Sequence, residues 1–376
     1  MNPSRRIRQL FGIPYPWRTA LAWHWDYLRP SVHRPSPFDL LGPRSPLAAD
    51  CTGRTASLVF LGDVMPIDSD LDLHVDPALR ARISSADLVM VNCEAPLGGQ
   101  TQCRGTRYLG ESRRFGELLS ELGIRTDRLL ASVANNHAED HGARGLLATA
   151  ERLEGLGCRV LGVRRGAGDD IALPVDVAGL RIGVSAWTQW RNRPGPTSGA
   201  RPWTPEDVSS ADWARVRCEL GLDLLVGFPH WDLEFRHFPQ PETRAFASWL
   251  AKGGFDLVVG HHPHVVQPME RIDDTLVLYS CGSAVPNSFC AGSWPAGLGA
   301  LLDVTVCGGD TPAHLGAYRV EPFLFDRVGQ RADIRALGSS SQPSQRAQDR
   351  FDLLFPEVQP HADAMRVAPF VGLPGQ

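Results

Sequence analysis

Five short apolar runs, each closing on a polar or titratable side chain, constrain this chain more than any other feature of its sequence. Ser57-Leu58-Val59-Phe60-Leu61 stops at Gly62-Asp63, and the run 87–92 is followed by Glu94. Residues 129–134 stop at Asn135-Asn136-His137, 222–228 precede His230, and 256–259 lead into Gly260-His261-His262-Pro263-His264. Apolar runs of this length, bounded by turn residues, read as buried strands. Helical periods lie between them, at 142–156 with Leu146, Leu147, Ala150 and Leu153, and at 242–252 with Phe246, Trp249 and Leu250. Strands alternating with helices argue for an α/β sheet covered on its faces, and such sheets bind ligands beyond the carboxyl ends of their strands. Five polar strand ends should therefore meet on one rim.

The last of these ends is the richest, with three histidines in four positions. Neutral imidazole is the commonest side-chain metal ligand, and Pro263 restricts the backbone between two of them. A polar turn capping a strand is the alternative. Taken singly, Asp63 reads equally as a turn residue, Glu94 as a cap and Asn136 as a helix N-cap; their repetition at matching strand ends favours a common purpose.

At 376 residues and 43% apolar content the chain can bury a sizeable core in one large or two ordinary domains. A net charge of −4 gives no global bias toward nucleic acid, and the single lysine, Lys252, reflects codon usage. The eight cysteines are scattered without a CxxC pair, so reduced thiols and a cytoplasmic location are expected. The basic start Arg5-Arg6-Ile7-Arg8 has no apolar stretch behind it, and neither a membrane span nor a P-loop or Rossmann glycine pattern is evident.

Residues 1–54 read as an extension, 55–325 as the main domain and 326–376 as a tail packing on it. In the extension Trp17, Arg18, Trp23, Trp25 and Arg29 interleave, and 18–28 could form a short amphipathic helix, either an arm anchored on the domain or a peripheral membrane foothold. Strands are expected at 301–306 and 317–325, a Ser/Gln-rich link at 338–345 and a short helix at 350–354. The stretch 188–212, with Trp190, Arg191, Arg193, Arg201 and Trp203, reads as a long loop near the rim. Its arginines suit phosphate or carboxylate, which leaves a substrate lid against a solvated loop. Arg104, Arg107, Arg113 and Arg114 form a second basic candidate.

In order along the chain, FLGDVM, VNCEAPL, ANNHAEDHG with the following GLLATAERLEGLG, FPHWDLEF, LVVGHHPHVVQ and LYSCGSAV resemble the CapA (capsule, poly-γ-glutamate synthesis) family within the calcineurin-like metallophosphoesterase superfamily, over about residues 57–290. The resemblance implies a sandwich of two mixed β-sheets flanked by helices, with a dinuclear metal site on the sheet edges. It assigns Asp63, Glu94, Asn136, His230, His262 and His264 to two divalent ions, with Glu94 placed to bridge them. Carboxylates and an amide oxygen beside imidazoles suit Mn, Fe or Zn rather than calcium. His137 is cast as the catalytic acid rather than a ligand. Asp140, three residues on, either accepts its ring proton or serves as a first-turn helix acid, and His141 and His261 are supporting groups. Departures are Asp232 where the family often has glycine in HWGxE, and Ser283 where YSLGN has asparagine. Family members tethered at the membrane begin with an anchor, and none is legible here.

Three functions follow from this reading. One is a two-metal hydrolase acting on an anionic small molecule, through a phosphoester or a γ-glutamyl amide bond. The others are a non-hydrolytic component of acidic-polymer or capsule synthesis, and a metal-binding scaffold. The retained His137 favours the hydrolase, because a scaffold needs no spare acid beside its metals. No nucleic-acid partner is expected, and the oligomeric state is not legible in the sequence.

Overall fold

Alternation along the strand Arg54–Val64 sets the layering of the molecule. Leu58 and Phe60 turn to one side and Val59 and Leu61 to the other, and all four are buried, so this strand is covered on both faces. It lies in a 10-stranded mixed sheet that runs Asp72–Val75, Arg331–Ala336, His314–Val328, Leu298–Gly308, Arg54–Val64, Leu88–Cys93, Leu129–Ser132, Arg159–Leu161, with Arg44–Pro46 and Ser283–Val285 paired off this path. A 6-stranded mixed sheet runs Leu173–Val177, Leu180–Thr188, Leu224–His230, Leu257–Val259, Thr275–Cys281, Val266–Ile272.

One apolar layer fuses the two sheets, with Leu58, Phe60, Leu88 and Met90 from the first meeting Val184, Val226, Phe228 and Leu257 from the second. The outer face of the first sheet is covered by the helices Pro77–Ser85, Ser112–Glu121 and Gly142–Gly155, through Ile83, Phe115, Leu118, Leu146 and Leu153. The outer face of the second is covered by Trp213–Leu220 and Pro241–Lys252, through Trp213, Ala247 and Leu250. Each large apolar side chain so buried stabilises the fold by about 1.5–3 kcal/mol, which is why both layers are built of Leu, Val and Phe. The result is the expected sandwich of two mixed β-sheets flanked by helices.

Three neighbours at the centre of the first sheet, Arg54–Val64, Leu88–Cys93 and Leu129–Ser132, are parallel, as are Leu224–His230, Leu257–Val259 and Thr275–Cys281 in the second. Their carboxyl ends therefore leave each sheet on one edge.

The computed structural model describes residues 15, 23, 25–28, 38–47, 51, 53–104, 107–196, 199–287, 297–309, 312–337 and 345–356. Of the helix expected at 18–28, residues 23 and 25–28 are described and helical; the remainder, and 338–344 of the expected link, lie outside the described residues. Among the described residues no helix is long and apolar enough to cross a membrane.

Three expectations are corrected. The boundary drawn at 325 falls inside the strand His314–Val328, whose hairpin partner Arg331–Ala336 carries the sheet on, so 326–336 are sheet rather than tail. Residues 188–212 are not a bare loop, since they contain the strand Arg201–Pro202 and the helix Pro205–Ser210, the latter closed by a capping box between Thr204 and Asp207. Cys51 and Cys307 form a disulfide with Cα atoms 5.5 Å apart, against the reduced thiols expected; 256 residues of separation hid the pair from any reading of spacing. Gly316 makes room for it, because a Cβ there would lie 2.3 Å from both sulfurs.

Candidate metal centre

The rim is assembled by strand register. Asp63 pairs with Asn92 on one side and Ser283 on the other, and Asn92 Nδ2 donates to Asp63 Oδ1 at 2.8 Å. Asn135 Nδ2 in turn donates to the Cys93 carbonyl at 2.8 Å, which ties the third strand end to the second. In the other sheet His230 and His261 form a parallel bridge, fixed by Trp231 N donating to His261 O at 3.1 Å and His261 N to Pro229 O at 3.0 Å. Gly260 is what lets the chain turn into this cluster: a Cβ there would stand 2.1 Å from Tyr279 O and 2.2 Å from Trp231 Nε1. His262 and His264 both adopt positive φ, 101° and 56°, an unfavourable backbone that tends to persist where the surroundings enforce it, commonly at functional sites. Here the enforcement is His262 N donating to Asp63 Oδ2 at 3.1 Å and Phe235 N donating to Pro263 O at 2.8 Å.

Two donor sets result, Asp63 with His230 and His261, and Glu94 with His262 and His264, the ligand atoms of each lying within 4.8 Å of one another. Both carboxylates reach across the sets. Asp63 Oδ1 is 3.2 Å from His261 Nδ1 while its Oδ2 is 3.4 Å from His264 Nδ1. Glu94 Oε1 is 3.6 Å from His230 Nε2 and 3.7 Å from His264 Nε2. Asn136 Oδ1 lies 3.2 Å from His230 Nε2, so all six side chains assigned by resemblance come together. His261, expected to be a supporting group, stands instead in a donor set beside Asp63. The reason is the bridge to His230, which turns its ring inward so that the two Nδ1 atoms are 2.8 Å apart.

The electrostatics are those of a site short of positive charge. Burial alone would raise Asp63, but hydrogen bonds from His261 and His264 outweigh it and hold the carboxyl well below its ordinary range. Glu94 is pushed well up, first by burial and then by the charge of Asp63. Burial, reinforced by neighbouring imidazoles, keeps His230 and His262 neutral, the form in which they can bind metal. His264 is raised because Asp63 outweighs the effect of its burial. Both oxygens of Glu94, Nε2 of His261 and Nδ1 of His262 are buried without a hydrogen-bond partner. Native structures leave few such atoms, and carboxylate oxygens facing imidazole nitrogens fit a divalent transition ion.

His137 and Asp140 sit beside this cluster. His137 Nδ1 is 2.9 Å from Asp140 Oδ2, which also accepts from Tyr108 N at 2.7 Å, and both side chains are buried. The Tyr108 ring stacks on the imidazole at 4.2 Å and 24°. His137 does not open the helix, which begins at Gly142; a turn with Asp140 N donating to His137 O at 3.0 Å brings the two side chains together. His141 points elsewhere, its Nε2 3.0 Å from Tyr108 O.

The rim arginines differ from expectation. Arg191 is consumed by Glu139, whose carboxylate takes two of its N–H groups and Gly195 N, and Arg201 is paired bidentately with Asp207. Arg193 is exposed and makes no ion pair among the described residues. Rather than a free lid, the start of this segment is pinned to the centre, with Gln189 N donating to His230 O at 2.9 Å and Asn192 N to Asn136 O at 2.9 Å. Of the second basic candidate, Arg114 is buried against Glu121 and the Leu71 carbonyl, and the side chain of Arg104 lies outside the described residues. Asp232 adopts φ 68°, the backbone that glycine would take most easily, and is anchored by Gln267 Nε2 at 2.8 Å.

Tyr15 was not legible as a site residue. It is buried between His262 and Trp190, its hydroxyl 2.7 Å from His262 Nε2. The only signal was an aromatic residue between Pro14 and Pro16.

A family model described as bacterial capsule synthesis protein PGA_cap matches residues 57–288. The chain is similar to the PGA biosynthesis protein CapA of Bacillus subtilis, 26% identical over 223 residues that cover 56% of this chain and 55% of that one. It is also similar to a probable polyglutamine synthesis accessory protein of Mycobacterium tuberculosis, 31% identical over 172 residues that cover 42% and 45%. The chain thus spans about half the length of the curated relatives it matches. Among solved structures it is similar to the calcineurin-like phosphoesterase YfkN from Bacillus subtilis, at 11% identity, 79% of this chain, 96% of that chain and a TM-score of 0.46.

Proposed function

The chain belongs to the bacterial capsule synthesis family PGA_cap, and on that premise we propose that it is a metal-dependent hydrolase of an anionic small molecule, cleaving a phosphoester or a γ-glutamyl amide bond. One observation carries the reading: two three-donor sets meet in a buried rim where neither oxygen of Glu94 has a hydrogen-bond partner. Asp63, His230 and His261 would hold one divalent ion and Glu94, His262 and His264 a second, with Asn136 beside the first; the donors suit Mn, Fe or Zn. Two such ions would supply Lewis acidity for an in-line displacement and lower the pKa of water.

The chain's own residues do the rest. His137 gives its Nε2 proton to the leaving group, since Nδ1 is committed to Asp140. Asp140 holds Nδ1 at 2.9 Å and so fixes the ring's orientation, and the Tyr108 ring packs flat against it. Asn136 orients His230. Arg193 is the rim arginine left to meet an anion, because Arg191 and Arg201 are already neutralised.

The names of the relatives in polymer synthesis favour a second reading, in which the centre binds an acidic polymer without cleaving it. The His137–Asp140 pair argues against it, for binding needs no proton donor. A metal-loaded sample assayed on aryl phosphoesters and γ-glutamyl anilides decides between them. Turnover abolished by chelation supports hydrolysis. A fully loaded protein that turns over neither class sinks it.

A further inference from the structure

Tyr15 occupies a place that neither a surface arm nor a packing residue requires. Its hydroxyl lies 2.7 Å from His262 Nε2 and accepts from Glu234 N at 3.3 Å. The Glu234 carboxylate accepts from Trp23 Nε1, and its charge, after burial, helps keep the Tyr15 hydroxyl protonated. Trp190 holds the phenol ring edge-on at 4.8 Å. Meanwhile His262 Nδ1 is buried with no partner at all.

A phenol has one proton and two acceptor lone pairs, and a neutral imidazole has one donor and one acceptor nitrogen. If Nδ1 of His262 carried the proton, a buried N–H would be left unpaired, a cost of about 1–3 kcal/mol. If Nε2 carries it, that proton goes to the Tyr15 oxygen, the Tyr15 proton is held by the charge of Glu234, and the bare Nδ1 is the nitrogen left for the donor set of Glu94 and His264. Both nitrogens of His262 are then used once an ion is present.

We infer that Glu234, Tyr15 and His262 form a hydrogen-bonded chain that selects the tautomer of His262 and aims its Nδ1 at the metal, making Tyr15 a positioning residue of the centre supplied from the N-terminal segment. Outer-shell partners of ligating histidines ordinarily act this way, and losing one weakens metal binding by about 10–100-fold. The inference rests on reading the cluster as a metal centre.

The test is Co(II) binding to the full chain against a competing chelator, with the visible spectrum of the bound ion as a second readout. Tyr15→Phe keeps the ring contacts and is expected to bind Co(II) about 10–100-fold more weakly with an altered spectrum. Glu234→Gln should weaken binding in the same direction, and the double variant should lose less than the sum of the two, because both act through one chain. Co(II) bound by Tyr15→Phe as tightly as by wild type, or more tightly, overturns the inference; tighter binding would mean that the hydroxyl competes with the ion for Nε2. Additive losses overturn it too. A wild type that binds no Co(II) fails the metal-centre reading itself, an outcome distinct from equal binding by the two proteins.

Discussion

Replacing Glu94 with Gln should make the metal-free protein more stable and the metal-loaded protein less stable. Glu94 is fully buried and neither carboxylate oxygen has a hydrogen-bond partner, while Asp63 adds a second negative charge beside it. Leaving a buried charged group unsatisfied costs about 1–3 kcal/mol or more. A neutral amide of the same shape removes the repulsion and can donate to Asp63. For a domain of this size about 1 kcal/mol moves the melting temperature by about 2–4 °C, so Glu94→Gln should melt roughly 2–10 °C higher in chelator. Because burial and Asp63 raise the pKa of Glu94, the penalty is absent below its ordinary value of 4.5 and grows as pH rises above it; the gain should therefore disappear in acid. With Mn(II) present the order should reverse. An ion at about 100 times its Kd adds about 2.7 kcal/mol to wild type, and the variant forfeits most of it with the lost carboxylate. Thermal unfolding of both proteins in chelator and in excess Mn(II) reads the two signs. A variant that melts below wild type in chelator would refute the reasoning, because Glu94 would then be satisfied by the protein itself.

Other outcomes follow from the same geometry. His137→Ala should lose about a hundredfold to ten-thousandfold in rate with metal content unchanged, and recover partly on substrates with good leaving groups, whereas His264→Ala should lose metal and activity together. Full activity in His137→Ala would end the acid role. His237 is held down to about 3, chiefly by burial and then by Arg350, while the unfolded chain takes up that proton near 6.5. Stability should therefore fall as pH drops from about 6.5 toward about 3, by about 1.4 kcal/mol per pH unit from this group, and His237→Gln should flatten the slope in denaturant titrations; superimposable profiles would exclude it. Cys51 and Cys307 should resist alkylation in the unfolded chain until reduced, and Cys51→Ser should cost about 2–5 kcal/mol; an unprotected pair would exclude the disulfide.

The strands that carry the site were legible because each is an apolar run buried on both faces, and the expected helix at 142–156 is observed as Gly142–Gly155. The strands Asp72–Val75 and Arg331–Ala336 were not, since they are the outermost and next-to-outermost strands at one end of the sheet and half of their side chains are polar, so neither reads as an apolar run. His230, His262 and His264 stood out by residue type and position. His261 was misplaced because its inward turn depends on pairing with His230 across 31 positions, and adjacency to His262 says nothing of that. The arginines of 188–212 looked available because their partners, Glu139 and Asp207, have no pattern in sequence that marks them as counter-ions. Tyr15 was invisible for the same reason: its partners are 219 and 247 residues away.

The pairing of Asp63, His230 and His261 against Glu94, His262 and His264 is tested most directly by electron paramagnetic resonance of the chain loaded with Mn(II), with the bound metal counted in the same sample. Two ions per chain with an exchange-coupled signal are expected in wild type, since both carboxylates reach across the two sets. His261→Ala should retain a single ion with the hyperfine pattern of isolated Mn(II). One ion in wild type, two uncoupled ions, or full coupled loading in His261→Ala would contradict the assignment.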